Sequence, residues 1–241
     1  HSKKETLEAN PLLKQEGLIG SVSYVDVQMD DYKIAEWLKN EALNKGVDLK
    51  ENNEVVSFCE NGSLTIRGSE TLNYDFIVNA AGPWAKELLK TNNIQSNFNM
   101  SLVRGSHLIL DFKIQSPLVL QSTKDKRIVF MLPLDNGCLL GTTEYSHNIK
   151  DPIVCTQTER DYLVDIANTY LEKTLTQKNI ISDYAGVRPL VFDSNTMDVS
   201  KINRDSAIEL NESLINIFGG KWTSGPSLGE KVSDMIESSF R

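Results

Sequence analysis

Residues 74–84 read Tyr74-Asp75-Phe76-Ile77-Val78-Asn79-Ala80-Ala81-Gly82-Pro83-Trp84. The run 74–80 is short and mostly apolar, the pattern of a buried strand, and Gly82-Pro83-Trp84 breaks it and opens a short helix through Lys90. The same grammar closes the chain. Residues 215–218 read as a strand, Gly219-Gly220-Lys221-Trp222-Thr223 as a tight turn, and 226–240 as a helix with Leu228, Val232, Met235 and Ile236 facing inward. Two strand, turn, helix units predict α/β architecture. Upstream, Asp30-Asp31 offers an N-cap and Ile34, Ala35, Leu38 and Ala42 recur at helical spacing until Gly46, so 32–45 reads as an amphipathic helix. Residues 54–59 and 63–67 flank Asn61-Gly62, a favoured hairpin pair.

The middle of the chain changes character. Residues 102–111, 118–121, 127–134 and 138–142 read as strands joined by turn chemistry such as Asp135-Asn136-Gly137, which predicts an antiparallel sheet. Leu163, Ile166, Ala167 and Tyr170 place one helix over 158–171, and 180–187 returns to strand. The fold class is therefore α+β / α/β, a β-rich insertion between α/β pieces of another domain. The 241 residues, 40% hydrophobic and 24% charged, are ample for a core and exclude disordered and low-complexity classes. A formal charge of -8 argues against a nucleic-acid module. The apolar run 128–134 falls far short of the roughly 20 residues that span a bilayer, so a soluble chain is expected. Cys59, Cys138 and Cys155 lack CxxC spacing, so neither a disulfide framework nor a metal site is expected, and a reducing compartment fits best. The opening His1-Ser2-Lys3-Lys4 reads as a tag scar or an excised fragment rather than a signal peptide.

Several segments could carry chemistry, each with a plainer alternative. The turn 219–223 ends a strand and starts a helix, where free N–H groups and the dipole favour an anion; it could equally be a packing turn with an exposed lysine. Ala81-Gly82-Pro83-Trp84 permits close approach of a cofactor, or is a tight turn. Arg188, Arg204 and Lys221 are either three solvated charges or a fork for one phosphate. His107, in Arg104-Gly105-Ser106-His107, is either a proton acceptor or a structural imidazole. His147 lies in a polar loop and is expected to be solvent-exposed. The spacing of a Walker A loop and the Gly-x-Ser-x-Gly elbow of hydrolases are both missing.

Taken in order, Gly17-Leu18-Ile19-Gly20 through Tyr24, Asp26 and Asp30-Asp31, then Val78-Asn79-Ala80-Ala81-Gly82-Pro83-Trp84, Arg104-Gly105-Ser106-His107, Gly141-Thr142-Thr143-Glu144, Gly186-Val187-Arg188-Pro189-Leu190, Arg204-Asp205 and Phe218-Gly219-Gly220-Lys221-Trp222-Thr223 resemble the FAD-dependent glycerol-3-phosphate dehydrogenases. The resemblance implies a fold like that of D-amino-acid oxidase relatives. A partial Rossmann-like FAD domain would occupy 17–95, with a strand near 20–28 shared with the substrate domain. An antiparallel-sheet substrate domain would occupy 96–205, and 206–241 would return to the FAD domain. It implies oxidation of glycerol 3-phosphate to dihydroxyacetone phosphate, with hydride passing to FAD and electrons to a quinone or other acceptor. Val55 would lie near the adenine, Ala81, Gly82 and Trp84 along the cofactor, and Gly219, Gly220, Lys221, Trp222 and Thr223 by the flavin ring. Arg104, Arg188, Arg204 and Lys221 would contact substrate, and His107 and Arg188 would serve catalysis.

The resemblance also implies peripheral membrane contact, at the cytoplasmic side of a membrane or the mitochondrial inner membrane. Departures accompany it. No Gly-x-Gly-x-x-Gly precedes Gly17, Ser224-Gly225-Pro226 follows Thr223 where the family continues Thr-Tyr-Arg, and the family's helical C-terminal extension has no counterpart. The chain therefore reads as an internal fragment or a degenerate copy that binds FAD poorly, and an unpaired central sheet edge would favour a homodimer. The alternatives are a glycerophosphate oxidase, a related flavin oxidoreductase, and a noncatalytic fragment without FAD.

Overall fold

The computed structural model describes residues 1–193 and 205–241. In chain order the elements are α1 (Lys3–Ala9), α2 (Asp31–Asn44), β1 (Val55–Phe58), β2 (Ser63–Ile66), β3 (Thr71–Asn73), β4 (Ile77–Asn79), α3 (Ala85–Thr91), β5 (Phe98–Leu110), β6 (Leu118–Gln121), β7 (Ile128–Leu134), β8 (Gly137–Gly141), β9 (Tyr145–Ser146), α4 (Gln157–Tyr170), β10 (Ile180–Asp193), β11 (Ser206–Asn211), β12 (Leu214–Gly219) and α5 (Gly225–Ser239). They form two compact units, His1–Val25 with Leu102–Arg188, and Asp26–Ser101 with Pro189–Arg241. Residues 96–101 and 189–193, which the sequence assigns to the inserted domain, belong to the second unit because Phe98, Met100 and Val191 pack into its core.

The first unit is built on a sheet of order β10-β5-β8-β7-β6, with β9 also pairing β5. Strand alternation sends Leu108 and Leu110 of β5, Val129 and Met131 of β7, and Leu140 of β8 to one side, where they meet Leu163, Ile166 and Ala167 of α4. That core accounts for the helix as well as the sheet: the apolar stripe of α4 has one surface to bury against. A capping box starts α4, with Thr156 and Glu159 exchanging hydrogen bonds. The opening residues belong to the same unit. Ser2 and Glu5 form a second capping box that starts α1, and the terminal amine of His1 donates to the Ser21 carbonyl at 2.7 Å.

The second unit holds a three-stranded sheet β11-β12-β4, in which β4 pairs parallel to β12 and antiparallel β11 flanks the other side, and a separate meander β1-β2-β3. Phe58, Ile77, Ala85, Leu89, Leu214 and Phe218 form its core. The strand expected near 20–28 does not form: residues 21–30 join no sheet among the described residues, and Ile19, Val22, Val25 and Val27 stand almost wholly in solvent. Helix α2 forms where its spacing predicts, yet none of its residues is fully buried. A strand forms only where a neighbouring strand is there to pair with it.

Candidate functional site

The side of the first unit's sheet facing away from α4 gathers polar groups from three strands. On β5, alternation turns Gly105 and His107 to this side; on β10 it turns Tyr184 and Arg188 the same way. The His107 ring stacks on Tyr184 with centroids 4.9 Å apart and planes 13° from parallel. Gly141 of β8 is the register partner of His107, and a Cβ added there would lie 2.2 Å from His107 Cδ2. At Gly105 an added Cβ would lie 2.5 Å from both Arg188 Nη1 and Thr142 Oγ1. Two glycines thus leave the space that an imidazole and a guanidinium occupy, and Arg188 Nη2 donates to Thr142 Oγ1 at 3.2 Å.

Burial, reinforced by the Arg188 charge, pushes the His107 imidazole down to about 4, so the ring is neutral at physiological pH. Its Nδ1 is buried with no hydrogen-bond partner among the described residues. Register carries the row outward from Gly141 to Phe130 of β7 and Val119 of β6, both partly exposed, which gives the polar cluster an apolar flank.

The opposite side of β5 is organised by a carboxylate. Arg104, expected among the substrate contacts, turns toward α4 and pairs with Glu159, Nη2 to Oε2 at 2.8 Å. Glu159 is 0% exposed and also accepts from the hydroxyls of Ser106 and Thr143, each at 2.8 Å. Burial acts to raise this carboxyl, but the backbone and hydroxyl donors of Thr156 with Ser106 and Thr143 outweigh it and hold the group down at about 2. His147 is a correction to its expected exposure. It is 8% exposed, because its backbone N–H donates to the Leu102 carbonyl just past β9, and neither ring nitrogen has a partner among the described residues.

In the second unit a cavity of about 590 Å³ is lined by Val55, Phe58, Ile77, Ala81, Trp84 and Leu88, among others. Asn79, which also lines it, is held by an amide pair: Asn79 Nδ2 donates to Asn216 Oδ1 at 3.0 Å and to the Ala85 carbonyl at 3.2 Å, tying β4 to β12 and to the start of α3. Gly82, at φ +54°, has open space where a Cβ would stand. In the closing turn, Gly219 and Gly220 take φ +68° and +98°, and a Cβ at Gly219 would lie 2.9 Å from the Asp205 carbonyl oxygen. Lys221, Trp222 and Thr223 follow, all exposed, and no side chain caps the N-terminus of α5.

The structure thus brings His107 and Arg188 together in the first unit and Val55, Ala81 and Trp84 together around the cavity of the second. Gly219 to Thr223 occupy one turn of that second unit. Arg204 lies outside the described residues. Thr142 stands in Gly141-Thr142-Thr143-Glu144, whose hydroxyls the sequence offers either for a site rim or as a strand end, whereas Tyr184 and Glu159 are not legible as site residues from motifs alone. Strand alternation from Arg188 on β10 would have pointed to Tyr184, and the Thr156-x-x-Glu159 capping box to the glutamate.

The aerobic glycerol-3-phosphate dehydrogenase of Staphylococcus aureus (strain USA300) is 30% identical over 256 residues, covering 100% of this chain and 46% of that protein. The glycerol-3-phosphate dehydrogenase of Bacillus halodurans, solved in complex with FAD, superposes with a TM-score of 0.88 at 27% identity, covering 99% of this chain and 49% of that one. The FAD-bound L-alpha-glycerophosphate oxidase of Mycoplasma pneumoniae shares the fold, with a TM-score of 0.72 at 21% identity over 98% of this chain and 63% of that one. The chain spans about half the length of the two dehydrogenases it matches. With the FAD dependent oxidoreductase (DAO) model matching residues 2–235, the chain belongs to that family.

Proposed function

We propose that this chain carries the substrate-binding sheet and part of the FAD-binding domain of an enzyme that oxidises sn-glycerol 3-phosphate to dihydroxyacetone phosphate. The observation that carries the reading is the row His107, Thr142, Tyr184 and Arg188 on one side of a sheet, with glycine at the two positions where a Cβ would strike the imidazole or the guanidinium. Support for FAD comes from the cavity of the second unit. Its apolar walls, formed by Val55, Ala81 and Trp84 with their neighbours, fit a flat heteroaromatic group. Gly82, and the uncapped helix start after Gly219 to Thr223, suit close approach of the remainder.

In this reading Arg188 binds the phosphate, each charge-assisted hydrogen bond contributing about 1.5–3 kcal/mol, and Thr142 fixes the guanidinium. Anchoring the phosphate presents the C2 hydroxyl to a neutral His107, which accepts the proton as C2 becomes a carbonyl. FAD, when bound, supplies the acceptor for the hydride that leaves C2. A phosphate dianion beside Arg188 offsets the guanidinium charge that helps depress His107, so the imidazole becomes a stronger base once substrate is in place. Lys221 would stabilise the negative charge that accumulates near the flavin ring. The resemblance supports a quinone as final electron acceptor, reached by peripheral membrane contact; no helix among the described residues is long and apolar enough to cross a bilayer. Self-association through the outer edge of β4 completes the proposal and is checked by sedimentation at rising concentration.

The test is anaerobic addition of sn-glycerol 3-phosphate to FAD-loaded protein, both as this chain and extended to the length of its relatives. The reading requires bleaching of the flavin band in the extended protein. An extended protein that dithionite bleaches and glycerol 3-phosphate does not would overturn it.

A further inference from the structure

The Glu159 carboxylate joins α4 to two strand segments that carry the proposed site on their other side. Oε2 accepts from Thr156 N at 3.0 Å, Thr156 Oγ1 at 2.7 Å and Arg104 Nη2 at 2.8 Å. Oε1 accepts from Ser106 Oγ and Thr143 Oγ1, each at 2.8 Å, and from Arg104 Nε at 3.5 Å. Thr143 Oγ1 in turn accepts from Ser106 N at 2.9 Å. The two oxygens therefore do different work. Oε2 closes the capping box that starts α4, a local task. Oε1 and the Thr143 hydroxyl lock the segment around Ser106 to the segment around Thr143. Gly105 and His107 flank Ser106 and point the other way; Thr142, which receives Arg188, directly precedes Thr143. A capping box needs only the Oε2 arm, so helix capping leaves the Oε1 arm unexplained.

We infer that Glu159 is a positioning residue: through Ser106 and Thr143 it sets the spacing between the strand that presents His107 and the turn that presents Thr142 to Arg188. The inference rests on the reading of His107 and Arg188 as proton acceptor and phosphate contact. Glu159 is itself fully buried, on the side of the sheet that faces α4. The carboxylate is held ionised by its donors across the working pH range, so it acts as a fixed acceptor rather than a switch.

Three variants separate the two arms. Thr143→Val removes the Oε1 hydroxyl arm and keeps the shape and the cap. Glu159→Gln turns one oxygen into a donor facing donors. Thr156→Ala weakens the cap alone. The readouts are the titration midpoint of the His107 ring protons by NMR, affinity for sn-glycerol 3-phosphate by calorimetry, and thermal stability. Thr143→Val and Glu159→Gln are expected to raise the His107 midpoint from about 4 toward its ordinary value, and to weaken binding at least about tenfold, as misplacement of the order of 1 Å does at such sites. Thr156→Ala is expected to lower stability with both other readouts unchanged. If Glu159→Gln fails to fold, Thr143→Val carries the test. Unchanged His107 midpoint and affinity in Thr143→Val, or equal changes in Thr156→Ala, overturn the inference. A wild-type chain without affinity for glycerol 3-phosphate, but with a His107 midpoint that moves in Thr143→Val and not in Thr156→Ala, overturns the functional reading and supports the positioning role.

Discussion

Replacing Gly141 by alanine adds one methyl group beside a single side chain. The new Cβ would stand 2.2 Å from His107 Cδ2 and 2.8 Å from Cγ, distances that real Cβ contacts do not reach. Restoring even 3.0 Å requires the ring to retreat by about 0.8 Å, and ordinary contact at 3.4 Å by about 1.2 Å. The ring cannot slide freely because Tyr184 stacks on it at 4.9 Å. Overpacking of this kind costs about 1–3 kcal/mol, which for a chain of this size lowers the melting temperature by roughly 2–4 °C per kcal/mol. The functional loss should be larger in proportion, since a misplacement near 1 Å costs about a hundredfold in rate or affinity for a positioned group. Calorimetric unfolding and NMR of the His107 ring measure the first effect, and glycerol 3-phosphate binding the second. The double variant with Tyr184→Ala, which gives the ring room to move, should recover stability but not binding. A Gly141→Ala protein that melts and binds as wild type would refute the geometry argued for His107.

Acid should act on the same residue. The folded imidazole titrates near 4 against an ordinary value near 6.5, so between these limits the unfolded chain binds the extra proton. Stability should therefore rise with pH from 4 to 6.5 and be lost as pH falls through that window, by on the order of 3 kcal/mol at about 1.36 kcal/mol per unit. His107→Gln should flatten that part of a denaturant-derived stability profile. Below pH 4.5 the lowered Glu159 carboxyl takes over and is lost toward pH 2, a component that Glu159→Gln removes. Gly219→Ala, at φ +68° and facing the Asp205 carbonyl at 2.9 Å, should lower stability by about 1–3 kcal/mol, read by urea midpoints. Ala81→Phe should fill the second unit's cavity and abolish FAD binding followed by fluorescence, with glycerol 3-phosphate affinity unchanged.

Much of this was legible in the sequence. The strand, turn, helix units around Ala80 to Trp84 and Gly219 to Thr223 form where turn chemistry places them, and the antiparallel strands follow their apolar alternation closely. The helix of residues 3–9 was missed because the chain opening reads as a scar, although Ser2-x-x-Glu5 is a capping box. The strand near 20–28, which the resemblance implies, does not form, since residues 21–30 find no strand neighbour among the described residues. At the site, His107 and Arg188 could be named from motifs, yet their pairing depends on β5 and β10 being neighbours, a non-local fact. Arg104 shows the converse. Three residues from His107 along the motif, it points to the other side of the strand and meets a carboxylate 55 positions away.

The most direct measurement is a titration of the chain with sn-glycerol 3-phosphate and, separately, with glycerol, for the wild type and Arg188→Met. Saturable binding of the phosphate ester alone by the wild type, lost in Arg188→Met while the melting curve stays cooperative, is the predicted result. Equal binding by both proteins, or no preference for the ester over glycerol, contradicts it.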